Sequence, residues 1–305
     1  MTLTDPYGRP IESIRISLTQ RCNLDCFYCH REGEETKDGE EMTPEEIKRI
    51  VEVAASFSVK KVKLTGGEPL LRKDVFEIVR VIKSTRGINE VSMTTNGVFL
   101  SDKAEKLKEV GLSRINITLN TLEVEKFRRI TGTDAFENVV SGIKAAVKAD
   151  LCPVKVNMVL LRGLNEDEVE GMIRFTRENG LVLQIIELES PSETEGYALY
   201  HAELSEVEKL LRKIAVKIVV RRMHHRRKYL LRGGGEVEVV KPMHNTEFCR
   251  YCNRIRVTSD GKLKPCLFRN SNLVDLVSLM RKGATNEQLK TLFVEAAKRR
   301  APFFT

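Results

Sequence analysis

The sequence predicts an α/β fold: an incomplete (β/α)6 TIM-like barrel over residues 1–200, followed by a smaller α+β domain over residues 201–305. Two observations favour the barrel. Short β-branched segments alternate six times with amphipathic segments between residue 11 and about residue 190. The polar and glycine-rich residues follow the ends of the predicted strands, where barrel enzymes place their chemistry. Six βα units would also fit a doubly wound sheet, and the position of the polar residues decides for the barrel.

The predicted strands are rich in β-branched residues and are IRISL, VKKVKLT, VSMTT, INITL, VKVNMVL and LQIIEL. Segments with apolar residues spaced by three or four lie between them and predict helices. The first helix begins with Thr43 as N-cap, Pro44 at the first helical position and Glu46 three residues after the cap, which is a capping box. Beyond residue 200, strands are predicted around glycine turns, followed by helices over 272–283 and 286–301.

The composition is that of a soluble globular protein, with 305 residues, 41% hydrophobic content and a net charge of +8. The N-terminal segment has no secretory apolar core, and no apolar run approaches the roughly 18 residues of a membrane span. We therefore expect a cytoplasmic protein without a membrane partner. The positive charge suits an anionic partner, but by itself it names neither nucleic acid nor nucleotide.

Three of the seven cysteines, Cys22, Cys26 and Cys29, have the spacing C-x3-C-x2-C in the loop after the first strand. In a reducing compartment such cysteines bind metal or catalyse rather than form disulfides. Three thiolates leave one iron of a [4Fe–4S] cube without a protein ligand and open to a small molecule. The alternatives are a zinc site completed from elsewhere, for example by His30, or simply buried cysteines.

A second group, Cys249, Cys252 and Cys266, has the spacing C-x2-C-x13-C and again supplies three ligands. Zinc is a stronger alternative here, because C-x2-C near short strands is common in zinc ribbons and His244 could complete the site. The seventh cysteine, Cys152, is predicted to be a small core residue.

The stretch CNLDCFYC, with an aromatic residue before its last cysteine, resembles the signature of the radical S-adenosylmethionine (SAM) superfamily. TGGEPLL at 65–71 is similar to the glycine-rich SAM loop of that superfamily. The block KPMHNTEFCRYCNRIRVTSDGKLKPCLF at 241–268 resembles the C-terminal domain of the GTP 3′,8-cyclases of molybdenum cofactor biosynthesis. The similarity covers residues 10 to about 270.

The resemblance implies two [4Fe–4S] clusters, SAM as cofactor and GTP as substrate. One electron from the first cluster would cleave SAM to methionine and a 5′-deoxyadenosyl radical. This radical would remove the hydrogen from C3′ of GTP, whose carbon radical would attack C8 of guanine. Reduction of the cyclised radical by one electron, with uptake of a proton, would yield 3′,8-cyclo-7,8-dihydro-GTP, which makes the protein a lyase of the first step of the pathway. An external electron donor is implied. A homodimer and a contact with the next pathway enzyme are left open, and no nucleic acid partner is expected.

Buried strand cations point independently to an anionic substrate, because an unpaired buried charge is costly. A solvated face or an internal salt bridge is the alternative for each. With the resemblance, the candidate substrate-binding residues are Arg15, Lys63, Thr94, Lys155, Arg254 and Arg256. The resemblance also implies a set of SAM-binding residues: Tyr28, Gly66, Gly67, Glu68 and Thr118.

The sequence departs from the family pattern at three places. Glu189 stands where a methionine is common, Asn120 stands in TLN rather than Ser-Leu-Asp, and the sequence ends RRAPFFT rather than with a Gly-Gly tail. The sequence assigns no role to these three features. Two other functions are weighed against the cyclase: another two-cluster radical SAM peptide or protein maturase, and a zinc-bearing nucleic-acid-binding protein.

Overall fold

The computed structural model describes residues 2–34, 40–190 and 195–305. Six parallel strands are adjacent in space in the order in which they follow one another in sequence. These strands are β1 (Ser13–Ser17), β2 (Lys61–Thr65), β3 (Glu90–Thr95), β4 (Arg114–Thr118), β5 (Lys155–Leu160) and β6 (Val182–Glu187). All six coincide with predicted strands, and the predicted incomplete (β/α)6 barrel is confirmed.

Helices fill the connections between these strands and continue into the last third of the chain. They are α1 (Pro44–Ser56), α2 (Val75–Lys83), α3 (Ala104–Glu109), α4 (Val124–Thr131), α5 (Phe136–Lys148), α6 (Val169–Glu178), α7 (Glu195–Tyr200), α8 (Ser205–Ile214), α9 (Thr246–Arg250), α10 (Val277–Arg281) and α11 (Asn286–Lys298). The predicted capping box is confirmed at the start of α1. The Thr43 hydroxyl accepts from Glu46 N at 3.2 Å, and the Glu46 carboxylate accepts from Thr43 N at 2.9 Å.

The strands of the last third extend the sheet at both of its edges. They are β7 (Ala215–Val220), β8 (Arg227–Leu231), β9 (Glu236–Val240), β10 (Arg254–Val257), β11 (Lys262–Lys264) and β12 (Val274–Asp275). Strand β9 pairs in parallel with β6, and β10 pairs in parallel with β1, so the six-stranded sheet does not close on itself. The division into domains at residue 200 stays a prediction, and the sheet is continuous across it.

Two local predictions are wrong. The helix predicted over 272–283 begins late, because Val274–Asp275 instead pair with β11 as an antiparallel strand. Cys152 is exposed rather than part of the core, since it lies in the turn between α5 and β5.

The two faces of the sheet differ in chemistry. Because successive side chains of a strand point to opposite faces, one face of each strand can be apolar and the other polar. Twelve apolar side chains of β1–β6 are fully buried and belong to one hydrophobic cluster: Ile14, Ile16, Val62, Leu64, Val91, Met93, Ile115, Ile117, Val156, Met158, Leu183 and Ile185. The positions between them carry polar and charged side chains, including Arg15, Lys63, Thr94, Asn116, Lys155 and Gln184. The inner face is therefore built for a polar ligand.

Within the described ranges, no helix combines the length and the apolar composition that crossing a membrane requires. The cytoplasmic location stays a prediction.

Candidate active site

The polar face of the sheet borders a cavity of about 330 Å³. Ten lysine or arginine side chains and three glutamate side chains line it in the described part of the chain. The lining includes all six residues predicted to bind the substrate, together with Tyr28, Thr118 and the second cysteine group. The remaining predicted residues lie outside the lining: Cys22, Cys26, Cys29, Gly66, Gly67 and Glu68.

Three of the predicted cations form a row across adjacent strands, with Arg15 of β1 between Arg256 of β10 and Lys63 of β2. Neighbouring strands are about 4.8 Å apart, so these like charges repel one another. Glu32 offsets part of this repulsion, since its carboxylate lies 3.1 Å from Arg15 Nη1 and 2.9 Å from Arg256 Nη1. Burial alone would raise the pKa of Glu32, but the two arginines lower it to about 2. Sequence reasoning missed this loop residue.

A second internal carboxylate pairs with Lys155. Glu238 is fully buried, and its Oε1 lies 2.6 Å from Lys155 Nζ, with Arg221 and Arg226 as further cationic neighbours. Burial would raise the pKa of Glu238, yet Lys155 and the two arginines lower it to about 2. Burial lowers the pKa of Lys155 to about 8, although Glu238 opposes that shift. Here the structure supports the internal ion pair that the sequence left as an alternative.

Lys63 and Arg254 have no carboxylate partner among the residues that the structure describes. Lys63 Nζ donates to Asn116 Oδ1 at 2.8 Å, and Arg254 Nη2 contacts Met223 Sδ at 3.4 Å. Burial, reinforced by nearby cations such as Arg15, holds the pKa of both groups well below their usual ranges. Because an unpaired buried cation is costly, this part of the cavity is suited to an anionic ligand.

The glycine-rich loop after β2 packs against the loop after β1, which carries the first cysteine group. Gly67 N donates to Thr19 O at 2.7 Å, and Glu68 N donates to Arg21 O at 2.8 Å. A Cβ on Gly67 would lie 2.2 Å from Arg21 O, and Gly66 has a φ of +143°. Glycine is therefore required at both positions for the backbones to approach so closely.

The Glu68 side chain is fully buried and shapes this loop from within. Its carboxylate accepts from the Thr95 hydroxyl at 2.7 Å, from Asn96 N at 2.7 Å and from Leu70 N at 2.9 Å. Burial raises the pKa of Glu68 to about 7, against these hydrogen bonds, which lower it. The side chain thus connects the loops after β2 and β3.

The first cysteine group has the donor chemistry that a cluster requires. Arg31 N donates to Cys29 Sγ at 3.4 Å, and Asn96 Nδ2 lies 3.8 Å from Cys22 Sγ. Burial, together with the neighbouring Cys29 and Cys22, raises the pKa of Cys26 to about 12. Thiolates therefore need a bound cation here, and iron would supply it.

In the ranges that the structure describes, no three His, Cys, Asp or Glu side chains are arranged around a single metal ion. A cube instead takes each cysteine on a separate iron.

Two buried arginines anchor the second cysteine group. Arg9 Nη1 donates to Cys249 O at 2.8 Å, and Arg300 Nη2 donates to Cys252 O. Both guanidinium groups also contact the buried carboxylate of Asp5, at 2.7 Å and 2.9 Å respectively. Burial would raise the pKa of the Cys252 thiol, but Arg300 lowers it below its usual value, which favours the thiolate, the form in which cysteine binds metals.

The three departures from the family pattern all lie near these groups. Glu189 Oε2 is 3.6 Å from His30 Nε2, and both residues line the cavity. Asn120 Nδ2 donates to the Tyr28 hydroxyl at 2.6 Å. Phe303 also lines the cavity, and its ring centroid is 5.2 Å from that of Phe268, two residues after Cys266.

Comparison with family models divides the chain into two consecutive matches. Residues 16–176 match the radical SAM superfamily, and residues 181–305 match Molybdenum Cofactor Synthesis C. A protein of Thermococcus kodakarensis named probable GTP 3′,8-cyclase is 48% identical, covering 99% of each chain. Proteins of the same name from Pyrococcus abyssi and Methanocaldococcus jannaschii are 49% and 46% identical, covering 99% of this chain and 100% and 99% of theirs. The chain belongs to the GTP 3′,8-cyclase family of the radical SAM superfamily.

Two solved structures share the fold at low identity. Streptococcus suis SuiB bound to S-adenosylmethionine has a TM-score of 0.64 and 16% identity over 84% of this chain. This chain spans 60% of SuiB's length. Native anSMEcpe with bound AdoMet has a TM-score of 0.62 and 18% identity, covering 84% of this chain and 74% of that one. The family membership predicted from the sequence is confirmed, and the zinc-bearing nucleic-acid binder is not supported.

Replacing Gly67 by Ala tests the close approach of the two loops in this radical SAM chain. We expect loss of iron from the first cysteine group, because the new methyl would overlap Arg21 O and push the cysteine loop away. Iron and sulfide analysis after anaerobic reconstitution measures this. Gly171→Ala is the matched control, because its Cβ would meet no atom closer than 3.9 Å. Equal iron content in both variants would contradict the steric argument.

Proposed function

We propose that this chain binds GTP in the cationic cavity and cyclises it to 3′,8-cyclo-7,8-dihydro-GTP, the first step of molybdenum cofactor biosynthesis. The assignment of GTP as substrate rests on the row of cations Arg256, Arg15 and Lys63 on the inner face. Arg254 lies beside this row and has no carboxylate partner among the described residues. The 48% and 49% identity to proteins named probable GTP 3′,8-cyclase, each over 99% of this chain, supports the same reaction. A chance cluster of basic residues would not combine this row of cations with the identity to the named cyclases.

SAM and an iron–sulfur cluster are the cofactors that follow from membership of the superfamily. We assign the cluster to Cys22, Cys26 and Cys29, whose spacing leaves one iron open for SAM. When bound, the cluster and SAM supply the radical chemistry that joins C3′ and C8 of GTP. The reaction also requires an external electron donor.

The SAM-binding residues act in different ways. Tyr28 and Thr118 line the cavity and can contact SAM with their hydroxyl groups. Gly66 and Gly67 let the loop after β2 pack directly against the loop of the first cysteine group, and we assign the backbone of this glycine-rich loop to SAM. Glu68 acts indirectly on SAM binding, because its buried carboxylate holds the glycine-rich loop in place and does not face the cavity.

The substrate-binding residues provide charge where the triphosphate needs it. Arg254 and Arg256 alternate on β10 and so project from the same face of the strand, next to Arg15. Their guanidinium groups suit bidentate contacts with phosphate oxygens. Lys63 and Lys155 add charge from β2 and β5, and the Thr94 hydroxyl provides a neutral contact between them. Holding GTP in one pose is the contribution of the protein to the rate.

A second [4Fe–4S] cluster on Cys249, Cys252 and Cys266 completes the proposal. All three cysteines line the same cavity as the substrate cations. The open iron of this cluster would hold the guanine base, while the arginines between the cysteines hold the phosphates. The homodimer and the contact with the next pathway enzyme stay predictions.

The direct test is anaerobic reconstitution followed by incubation with SAM, a strong reductant and GTP. We expect GTP to stimulate 5′-deoxyadenosine formation well above the slow uncoupled rate, together with a cyclised isomer of GTP identified by mass spectrometry. GTP carrying deuterium at C3′ should pass the label to 5′-deoxyadenosine. ATP is the matched control nucleotide. Formation of 5′-deoxyadenosine that is equally fast with ATP would favour another radical SAM activity, such as a maturase.

Replacing Arg254 or Arg256 by Ala should raise the KM for GTP by at least about tenfold. A hydrogen bond to a charged group contributes about 1.5–3 kcal/mol, and about 1.4 kcal/mol corresponds to a factor of ten. Slow uncoupled cleavage of SAM should continue, because the first cysteine group is untouched. Arg250→Ala is the control, since Arg250 is exposed and lies outside the cavity lining. Equal loss of GTP use and of uncoupled cleavage would contradict a substrate-binding role.

The number of clusters is tested by metal content. Two cubes require about eight irons per chain after full reconstitution. The Cys249→Ser, Cys252→Ser and Cys266→Ser triple variant should keep about four irons and its uncoupled SAM cleavage, but lose GTP cyclisation. Cys152→Ser should keep the full iron content, because Cys152 is exposed and belongs to neither group. About four irons in both the unaltered protein and the triple variant would exclude the second cluster.

A further inference from the structure

Four side chains form a hydrogen-bond network that crosses the polar face of the sheet from β9 to β2. It begins at the fully buried carboxylate of Glu238, whose Oε2 accepts from Gln184 Nε2. Gln184 Oε1 accepts from Asn116 Nδ2 at 2.7 Å, and Asn116 Oδ1 accepts from Lys63 Nζ at 2.8 Å. Gln184 and Asn116 are both nearly fully buried. Two neutral amides therefore connect a buried carboxylate to the ammonium group of Lys63.

The groups at the two ends fix the direction of every bond in this network. An ammonium group can only donate, so the oxygen of Asn116 must face Lys63 and its nitrogen must face Gln184. The pKa of Glu238 is lowered to about 2, so its carboxylate only accepts, and the nitrogen of Gln184 must face it. Reversing Asn116 would bring two donors together at Lys63. The network thus has a single arrangement, which holds its last member in one place.

Lys63 reaches across one strand to make its bond. It lies on β2 and Asn116 lies on β4, with β3 between them. The register neighbour of Lys63 on β3 is Ser92, whose small side chain leaves room for the lysine to extend toward β4. In the ranges that the structure describes, no other acceptor bonds to Lys63 Nζ, and the residue borders the cavity. An ammonium group has three donors, so two remain for a ligand.

The two amides keep Lys63 apart from the carboxylate that anchors it. Lys155, Arg221 and Arg226 already surround Glu238 and share its charge. A direct ion pair with Glu238 would offset the positive charge of Lys63 at contact distance, whereas the attraction weakens as the separation grows. The network therefore fixes the position of Lys63 and leaves its charge available to an anion.

We propose that Gln184 and Asn116 are positioning residues that anchor the Lys63 ammonium to Glu238 and direct its two remaining donors at phosphate oxygens of the substrate. The inference rests on the proposed function, in which this cavity binds GTP. Both amides also border the cavity, so a direct contact with GTP is the alternative. The two roles differ in one respect: a positioning residue loses its effect when Lys63 is removed, and a direct contact keeps it.

The test is a double-mutant cycle on GTP binding with Gln184→Met, Lys63→Met and the double variant. The dissociation constant is measured by equilibrium dialysis on the reconstituted full-length protein, without SAM or reductant, so that no turnover occurs. We expect Gln184→Met to weaken binding about tenfold when Lys63 is present and less than about twofold in the Lys63→Met background, since members of one network are coupled. An unchanged dissociation constant in Gln184→Met, or equal weakening in both backgrounds, would overturn the inference.

Arg256 provides the matched control cycle, because its guanidinium bonds to Glu32 and belongs to the same row of cations as Lys63. Gln184→Met should weaken GTP binding by the same factor with or without Arg256→Met. A dependence on Arg256 as large as that on Lys63 would indicate a general change of the cavity and would also overturn the inference.

Asn116→Leu is the second variant if Gln184→Met does not fold, because it breaks the same network next to Lys63 and should show the same dependence on Lys63. The cycle also separates the two levels of the proposal. Failure of the unaltered protein to bind GTP would refute the proposed function and this inference with it. Additive effects in a protein that binds GTP would refute the positioning role alone.

Discussion

Positive charge on the inner face of an open sheet is the constraint on which the remaining structure depends. A closed barrel of this size would fill its interior with apolar side chains. Here the inner positions of β10, β1 and β2 carry Arg256, Arg15 and Lys63 side by side. Glu32 offsets part of their repulsion. The charge that is left makes a polyanion the natural occupant of the cavity.

The open edges of the sheet bring the second cysteine group to the cavity. Strand β10 continues the sheet beyond β1 in the same direction, so the turn with Cys249 and Cys252 lies at the end of the sheet where β1 begins, and its cysteines line the cavity. At the other edge, β9 pairs with β6 and places Glu238 against Lys155. A closed six-stranded ring would have left neither position to the last third of the chain.

The loops that carry the cysteines are held mainly by backbone groups and buried charges. In the first loop, glycines allow one backbone to lie directly on another, and hydrogen bonds orient the sulfurs. In the second, Asp5 fixes Arg9 and Arg300, which in turn hold the carbonyls of Cys249 and Cys252. Contacts within the protein thus shape each of the two loops.

Local patterns in the sequence determined the six strands, the capping box at Thr43, the two cysteine groups and the strand cations, because spacing within one strand or loop does not depend on distant partners. Only the tertiary structure decided which charges are paired. Asp5 and Arg300 are separated by 295 positions, and Glu32 reaches Arg256 only because β10 lies beside β1. The pairing of distant strands sets such contacts, and no periodicity along the chain encodes it.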